Sequence, residues 1–377
     1  MENNILDNSQ LENLSNEELN ELYISYTAKA LIQKNIEQAI KILINSLYGY
    51  LGSPYSRFYN MYIAEAITLT GQAIIRTSAN LINDDLEKIT GSKKDRICGV
   101  DTDSNYIDLT DIVLSEKTGW YKKTDDEIVT LIDKFCSTRL EKVITEGFDE
   151  LFDKLNAYDP CIYMKREAIG SGVFVQKKRY TMYVYDNEGV RYPKPKLKII
   201  GLEAVRSSTP KFFREKLKTV YELMYTADQA EIYNEVNKIK DEFMKLPIME
   251  IGKPSGVNGL GEYDNNSSEL GSFSKGTPAG PKAAFTYNRL IKQMNLTDKH
   301  HLINSGDKIK TFNVKLPNPY KNDKIAILDK VPAEFNLEAY VDREGMFEDS
   351  FLSPITAVLG ARKWHATRQV NLDDIFG

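Results

Sequence analysis

Apolar residues recur three or four positions apart at Leu19, Leu22, Tyr23, Tyr26, Ala30, Ile32, Ile36, Ile40, Leu43, Ile44 and Leu47. That period marks one face of an α-helix, so a single long helix is expected from about Asn16 to Tyr48. Ser15-Asn16-Glu17-Glu18 in front of it reads as a capping box, with Glu three positions after the cap. Gly49 and Gly52 are expected to end it. A second helix is expected over 63–86.

The pattern then shortens. Ile97 to Val100 and Tyr106 to Leu109 are brief apolar stretches around Asp101-Thr102-Asp103-Ser104. This predicts a hairpin with two carboxylates at or near its tip. A helix is expected over 125–155 and a strand-rich region over 164–200, with a turn at Asn187-Glu188-Gly189. Two helices follow Pro210, over 211–225 and 227–245. Gly252 to Gly280 is dense in Gly, Ser, Asn and Pro and reads as a long loop. After Lys282 come a helix, a strand near Thr311 to Leu316 and mixed structure. No internal repeat is visible.

The 377 residues are 42% hydrophobic and 27% charged, enough for a substantial core and for more than one folding unit. No run of about 18 apolar residues predicts a membrane helix. The N-terminus lacks the pattern of a secretory signal. Cys98, Cys136 and Cys161 give neither a disulfide framework nor a paired metal motif. A reducing, cytoplasmic setting is expected. Net charge is −5, yet 165–214 holds twelve Lys or Arg against four Asp or Glu. Such a stretch is either a footprint for a polyanion or a solvated face.

Four groups of residues carry candidate chemistry. Lys41, Asn45 and Tyr48 share one helix face, placing a cation, an amide and an aromatic ring together. A surface Lys, a capping Asn and a core Tyr would read the same. Asp101 and Asp103 would repel unless a cation neutralised them, and hard carboxylate oxygens suit Mg²⁺. An EF-hand loop starting at Asp101 would need Gly and Glu where Tyr106 and Ile112 stand. Asn105 likewise leaves a phosphotransferase Asp-x-Asp signature incomplete. A plain Asp-rich turn remains the simpler reading. In Gln176-Lys177-Lys178-Arg179-Tyr180, strand alternation would put Lys178 and Tyr180 on one face, as a phosphate clamp beside an aromatic contact. A solvated strand edge is the alternative. Finally, Leu372, Ile375 and Phe376 in an acidic tail read as anchors of a peptide that docks into a partner's groove, or as a tail tucked into its own body.

The order of these motifs is more specific than any one of them. Lys-x-x-x-Asn-Ser-x-Tyr-Gly, then Asp-Thr-Asp-Ser, then Lys-Lys-Arg-Tyr resembles family B DNA polymerases, closest to the replicative polymerases of T-even-like bacteriophages. Ala66-Ile67-Thr68, Arg166-Glu167-Ala168-Ile169 and Ser207-Ser208-Thr209-Pro210 are similar to stretches of the same group. The resemblance runs from about Leu14 to Gly377. It implies an α+β chain: a second fingers helix (1–52), the C-terminal part of the palm with an antiparallel sheet and helices (53–208), a mostly helical thumb (209–368) and a clamp-binding tail (369–377).

By the same resemblance, Lys41 would contact the incoming triphosphate, and Asn45 and Tyr48 would line the pocket of the nascent base pair. Asp103 would be the main metal ligand, with Asp101 beside it and Glu167 a further acid near two Mg²⁺. Lys177, Lys178 and Tyr180 would hold primer–template DNA, and Leu372, Ile375 and Phe376 would engage a sliding clamp. Two positions depart from the pattern. The family usually has Tyr-Gly before Asp-Thr-Asp, where Gly99-Val100 stand here. The phage group has Asp where this chain has Lys165.

The exonuclease domain, the Asp-x-x-Ser-Leu-Tyr-Pro-Ser motif with the other palm aspartate, and the paired fingers helix have no counterpart in these residues. The expectation is one half of a split DNA-directed DNA polymerase that needs an N-terminal partner chain for activity. A truncated fragment or an interrupted gene is the plainer explanation. A non-catalytic DNA- and clamp-binding subunit is the alternative from another functional class.

Overall fold

The computed structural model describes residues 8–159 and 162–367. The expected docking tail, with Leu372, Ile375 and Phe376, lies outside the described residues, as does Cys161. The chain divides into two compact units. One is the segment up to Asn80 together with Thr102–Ser104; the other is Leu81–Asp101 together with the chain from Asn105 onward.

The first unit is helical. A single turn of helix, α1 (Asn8–Glu12), precedes α2 (Asn16–Gly52). The capping box forms as the sequence predicts. Ser15 Oγ accepts from the Glu18 amide at 3.3 Å, and the Glu18 carboxylate accepts from the Ser15 amide at 2.8 Å. The bond from the Ser15 amide, and next the one from its hydroxyl, hold the Glu18 carboxyl below its usual range. Gly49 lies inside the helix rather than at its end. The stop is at Gly52, because Pro54 disfavours a helical Ser53, which is extended at φ −92°, ψ 121°. No side chain of this 37-residue helix is buried. The next helix, α3 (Met61–Thr90), carries the chain into the second unit.

β1 (Ile97–Asp101) pairs with β2 (Ser104–Ile107) in a two-stranded hairpin, whose strands lie in the second unit apart from Ser104. After α4 (Thr110–Val113), the expected helix over 125–155 is present in two parts, α5 (Asp125–Phe135) and α6 (Glu141–Lys154). A π-turn at Cys136–Leu140 joins them. One extra residue in a turn re-aims the side chains, and Arg139 uses it to grip Asp85 with two bonds of 2.8 and 3.0 Å.

Three antiparallel strands follow: β3 (Ala168–Gln176), β4 (Arg179–Asn187) and β5 (Val190–Ile200). The expected turn between the last two is present, with Glu188 and Gly189 both left-handed at φ 52° and 84°. Two positive φ values in a two-residue connection match the twist of a hairpin. Arg166 lies just before β3, with its side chain largely buried. It donates to Asp186 and to Asp133 of α5, and Arg191 donates to Asp186 and Asp126. Seven of the twelve cations in 165–214 take part in such ion pairs, so this charge is largely neutralised by the protein's own acids.

One hydrophobic core links the sheet to the rest of the unit, from Val173 and Leu202 through to Ala366. Helices α7 (Lys211–Thr226) and α8 (Gln229–Met244) supply Phe213 and Phe243, whose rings lie 4.6 Å apart. The short α9 (Ile248–Ile251) leads into β6 (Lys253–Gly256), which pairs with β7 (Lys308–Asn313) and through it β8 (Lys324–Ile327). The strand expected near 311–316 thus sits three residues earlier. Pro317 holds Leu316 out of the ladder, and Val314 makes only an isolated bridge to Val341. Helices α10 (Ala279–Gln293), α11 (Arg343–Phe347) and α12 (Ser353–Ala361) complete the core.

The Gly- and Ser-rich stretch expected as one loop is not all loop: it opens with β6 and holds a 3-10 turn at Leu260–Tyr263, and the part from Asp264 to Pro278 is a tethered loop. Arg289 of α10 is 6% exposed and points into it. Its guanidinium donates to the carbonyls of Glu269 (2.9 Å) and Ser272 (2.5 Å) and to Asn265 Oδ1 (2.9 Å). Gln293 holds the Ser268 carbonyl at 2.8 Å.

Candidate active site

The β1–β2 hairpin places Asp101 at the end of one strand and Asp103 just before the next. Thr102 between them is left-handed at φ 55°, which closes the turn in two residues. Asp103 is exposed, and Ser104 Oγ donates to its Oδ1 at 3.4 Å. Asp101 is committed elsewhere: the Lys178 ammonium lies 3.1 Å from its Oδ1. The two carboxylates expected to act together are therefore in different situations.

Lys177 and Lys178 are not strand residues. Gln176 pairs with Arg179, so the two lysines form the turn from β3 to β4. Lys178 is left-handed at φ 59°. Strand alternation does not apply there, which corrects the expectation of a shared Lys178–Tyr180 face. Gly201 packs beneath this turn. Its φ is 65°, and a Cβ on it would stand 2.0 Å from the Lys178 carbonyl oxygen. Arg206 donates twice to the Gly201 carbonyl, at 3.0 and 2.7 Å.

Tyr180 is 4% exposed and offers no open aromatic face. Its ring stacks on Phe174 at 4.9 Å, and its hydroxyl lies 2.6 Å from that of Tyr106 on β2. Burial first, then the bond to Tyr106, hold its phenol well above the ordinary range, so it stays neutral. Gly99 explains how the rings fit. A Cβ there would meet Tyr106 at 3.3 Å and Phe174 at 3.5 Å. Tyr106 and Phe174 fill the room over the glycine. Nothing in the local sequence announces this cluster; the Tyr106–Tyr180 contact spans 74 residues.

Glu167 is exposed and 3.4 Å from the Lys198 ammonium. Its carbonyl accepts from the Glu188 amide at 2.6 Å. On α2, Lys41 is paired with Glu37 at 2.5 Å, one helical turn earlier. Asn45 is exposed and Tyr48 is 45% exposed. These three share a helix face, as their spacing requires.

No cluster of three or more His, Cys, Asp or Glu among the described residues could hold a metal ion. Mg²⁺ characteristically takes one or two carboxylates together with waters and substrate phosphates. The exposed Asp103 at a tight turn fits one such ligand, so the donor set is of the right chemistry but incomplete among the described residues. Among the described residues no helix is long and apolar enough to cross a membrane.

Comparison with known proteins follows the same lines. The chain is 30% identical over 390 residues to the DNA-directed DNA polymerase of Escherichia phage RB69, covering 97% of this chain and 41% of that relative. It is 29% identical over 390 residues to the DNA-directed DNA polymerase of Enterobacteria phage T4, covering 98% and 42%. A DNA polymerase 2 of Aeropyrum pernix is 29% identical over 210 residues, covering 54% and 20%. The chain thus spans about two fifths of the length of the two phage relatives. The sequence pattern of DNA polymerase family B matches residues 21–252, a stretch that holds α2, the carboxylate hairpin and the three-stranded sheet, and the chain belongs to that family.

Proposed function

We propose that the chain is the C-terminal part of a DNA-directed DNA polymerase and works with a polypeptide that carries the rest of the fold. The observation that carries this reading is α2. Ile36, Ile40, Leu43, Ile44 and Leu47 are each 47–66% exposed on a helix with no buried side chain. A surface with an apolar area of that kind marks an interaction site. About three fifths of the length of each phage relative lies outside the match, room enough for the surface that would cover α2.

In the assembled enzyme Asp103 holds a metal oxygen site, with Glu167 a further acid near it. Lys41 contacts the triphosphate, and Asn45 and Tyr48 bound the pocket for the nascent base pair. Lys177 and Lys178, at the tip of a tight turn, contact the backbone of primer–template DNA as point charges. Residues 1–52, 53–208 and 209–368 act as fingers helix, palm and thumb. Asp103 would hold Mg²⁺ together with substrate phosphates, and the ion would supply charge neutralisation during phosphoryl transfer. The protein's contribution is positioning and preorganised charge. Leu372, Ile375 and Phe376 dock a sliding clamp.

The test is reconstitution. The chain is purified with and without a polypeptide bearing Asp-x-x-Ser-Leu-Tyr-Pro-Ser, and primer extension with Mg²⁺ is followed. Synthesis by the pair and not by the chain alone, abolished by Asp103→Ala with DNA binding retained, is the expected result. Synthesis unchanged by Asp103→Ala would overturn the catalytic reading and leave a DNA- and clamp-binding subunit.

A further inference from the structure

We infer that Tyr106 is a positioning residue for the carboxylate hairpin, acting through its hydroxyl contact with Tyr180; this rests on the polymerase reading above. The hairpin is a two-stranded sheet of its own. Such ribbons are marginal without packing, so the geometry of Asp103 depends on what fixes β2. Tyr106 follows Asp103 by three residues on that strand.

Its ring meets Phe174 edge-on at 5.3 Å and Tyr180 at 5.2 Å, and the hydroxyl pair closes at 2.6 Å. A second tie to the sheet, Lys178 to Asp101, joins side chains 58% and 31% exposed. Exposed pairs of this kind contribute little. Of these two ties the aromatic seat is the stronger. Because Tyr180 is two residues past Lys178, one contact sets both the DNA-facing turn and the metal-facing turn. Shift the hydroxyl pair, and both move together.

Two readouts test this. In the assembled enzyme, Tyr106→Phe and Tyr180→Phe are compared with the unmodified chain for the Mg²⁺ concentration at half-maximal primer extension. In the same assembly, Mn²⁺ affinity is read by electron paramagnetic resonance. Both variants keep the ring, and melting temperature checks that the fold persists. The expected result is a half-saturating Mg²⁺ concentration raised roughly fivefold by either variant, the size of one lost hydrogen bond. Weaker Mn²⁺ binding should accompany it. The double variant should be no worse than either single one, because both remove the same contact. Unchanged metal dependence in both variants, with or without a lower melting temperature, would overturn the inference. If the unmodified assembly extends no primer, the polymerase reading fails instead, and Mn²⁺ affinity still decides the role of Tyr106.

Discussion

The Lys178 ammonium lies 3.1 Å from Oδ1 of Asp101, so the first aspartate of the hairpin already has a counter-ion within the chain while Asp103, two residues on, faces solvent. The pair is a solvated tie between two turns, and it gives Asp101 a different electrostatic setting from Asp103. Asp101→Asn should reduce primer extension by the assembled enzyme roughly tenfold or less, against near-complete loss for Asp103→Ala. A double-mutant cycle of Asp101→Asn with Lys178→Ala should give a stability coupling of at most about 1 kcal/mol, because both groups are partly solvated.

Arg166 and Asp186 form the opposite kind of pair. Asp186 is 3% exposed, and Arg166 is its chief partner. Arg166→Met should destabilise the second unit by about 3 kcal/mol, since it leaves the buried carboxylate with the longer Arg191 contact and the Gly189 amide. Urea denaturation followed by tyrosine fluorescence measures it.

The same carboxylate gives a pH dependence. Burial alone would raise its pKa; the hydrogen bond and charge of Arg166, then Gly189 and Arg191, outweigh burial and bring it below the usual range. A group lowered on folding contributes fully above its unfolded value, near ~4, and loses that contribution as pH falls through its folded value. Stability should therefore drop below about pH 4, and Asp186→Asn should flatten that drop while lowering stability at pH 7.

Gly201 tests the floor under the Lys178 turn. A methyl group at this left-handed position would meet the Lys178 carbonyl at 2.0 Å. Gly201→Ala should cost more than the ~1 kcal/mol of an ordinary Gly-to-Ala change at positive φ. It should also weaken duplex binding by displacing Lys177 and Lys178, which a salt titration of DNA affinity would register.

Arg289 makes the Gly- and Ser-rich loop a fixed part of its unit. Arg289→Ala would release three acceptors at once, a loss of about 2–4 kcal/mol on the scale of charge-assisted bonds. Limited proteolysis should then cut within 264–276, where the unmodified chain resists.

Much of this was legible in the sequence where a rule acts over a few residues. The Ser15–Glu18 box, the carboxylate turn and the Glu188-Gly189 turn each rest on local chemistry. Lys178 was misplaced because Lys177-Lys178 carries no Asn-Gly or Asp-Gly signal for a two-residue turn. The burial of Tyr180 was hidden for a different reason: its partner is 74 residues away. An arginine such as Arg289 reads as a surface residue until the carbonyls around it are known.

The bare apolar face of α2 also has a consequence for the protein's supply. A folded chain whose longest helix buries nothing presents, to chaperones and proteases, the sign they use to find unfolded ones. Cover that helix, and binding draws the chain into the protected state by mass action. If a partner covers α2 as proposed, the steady level of this chain would follow the abundance of that partner.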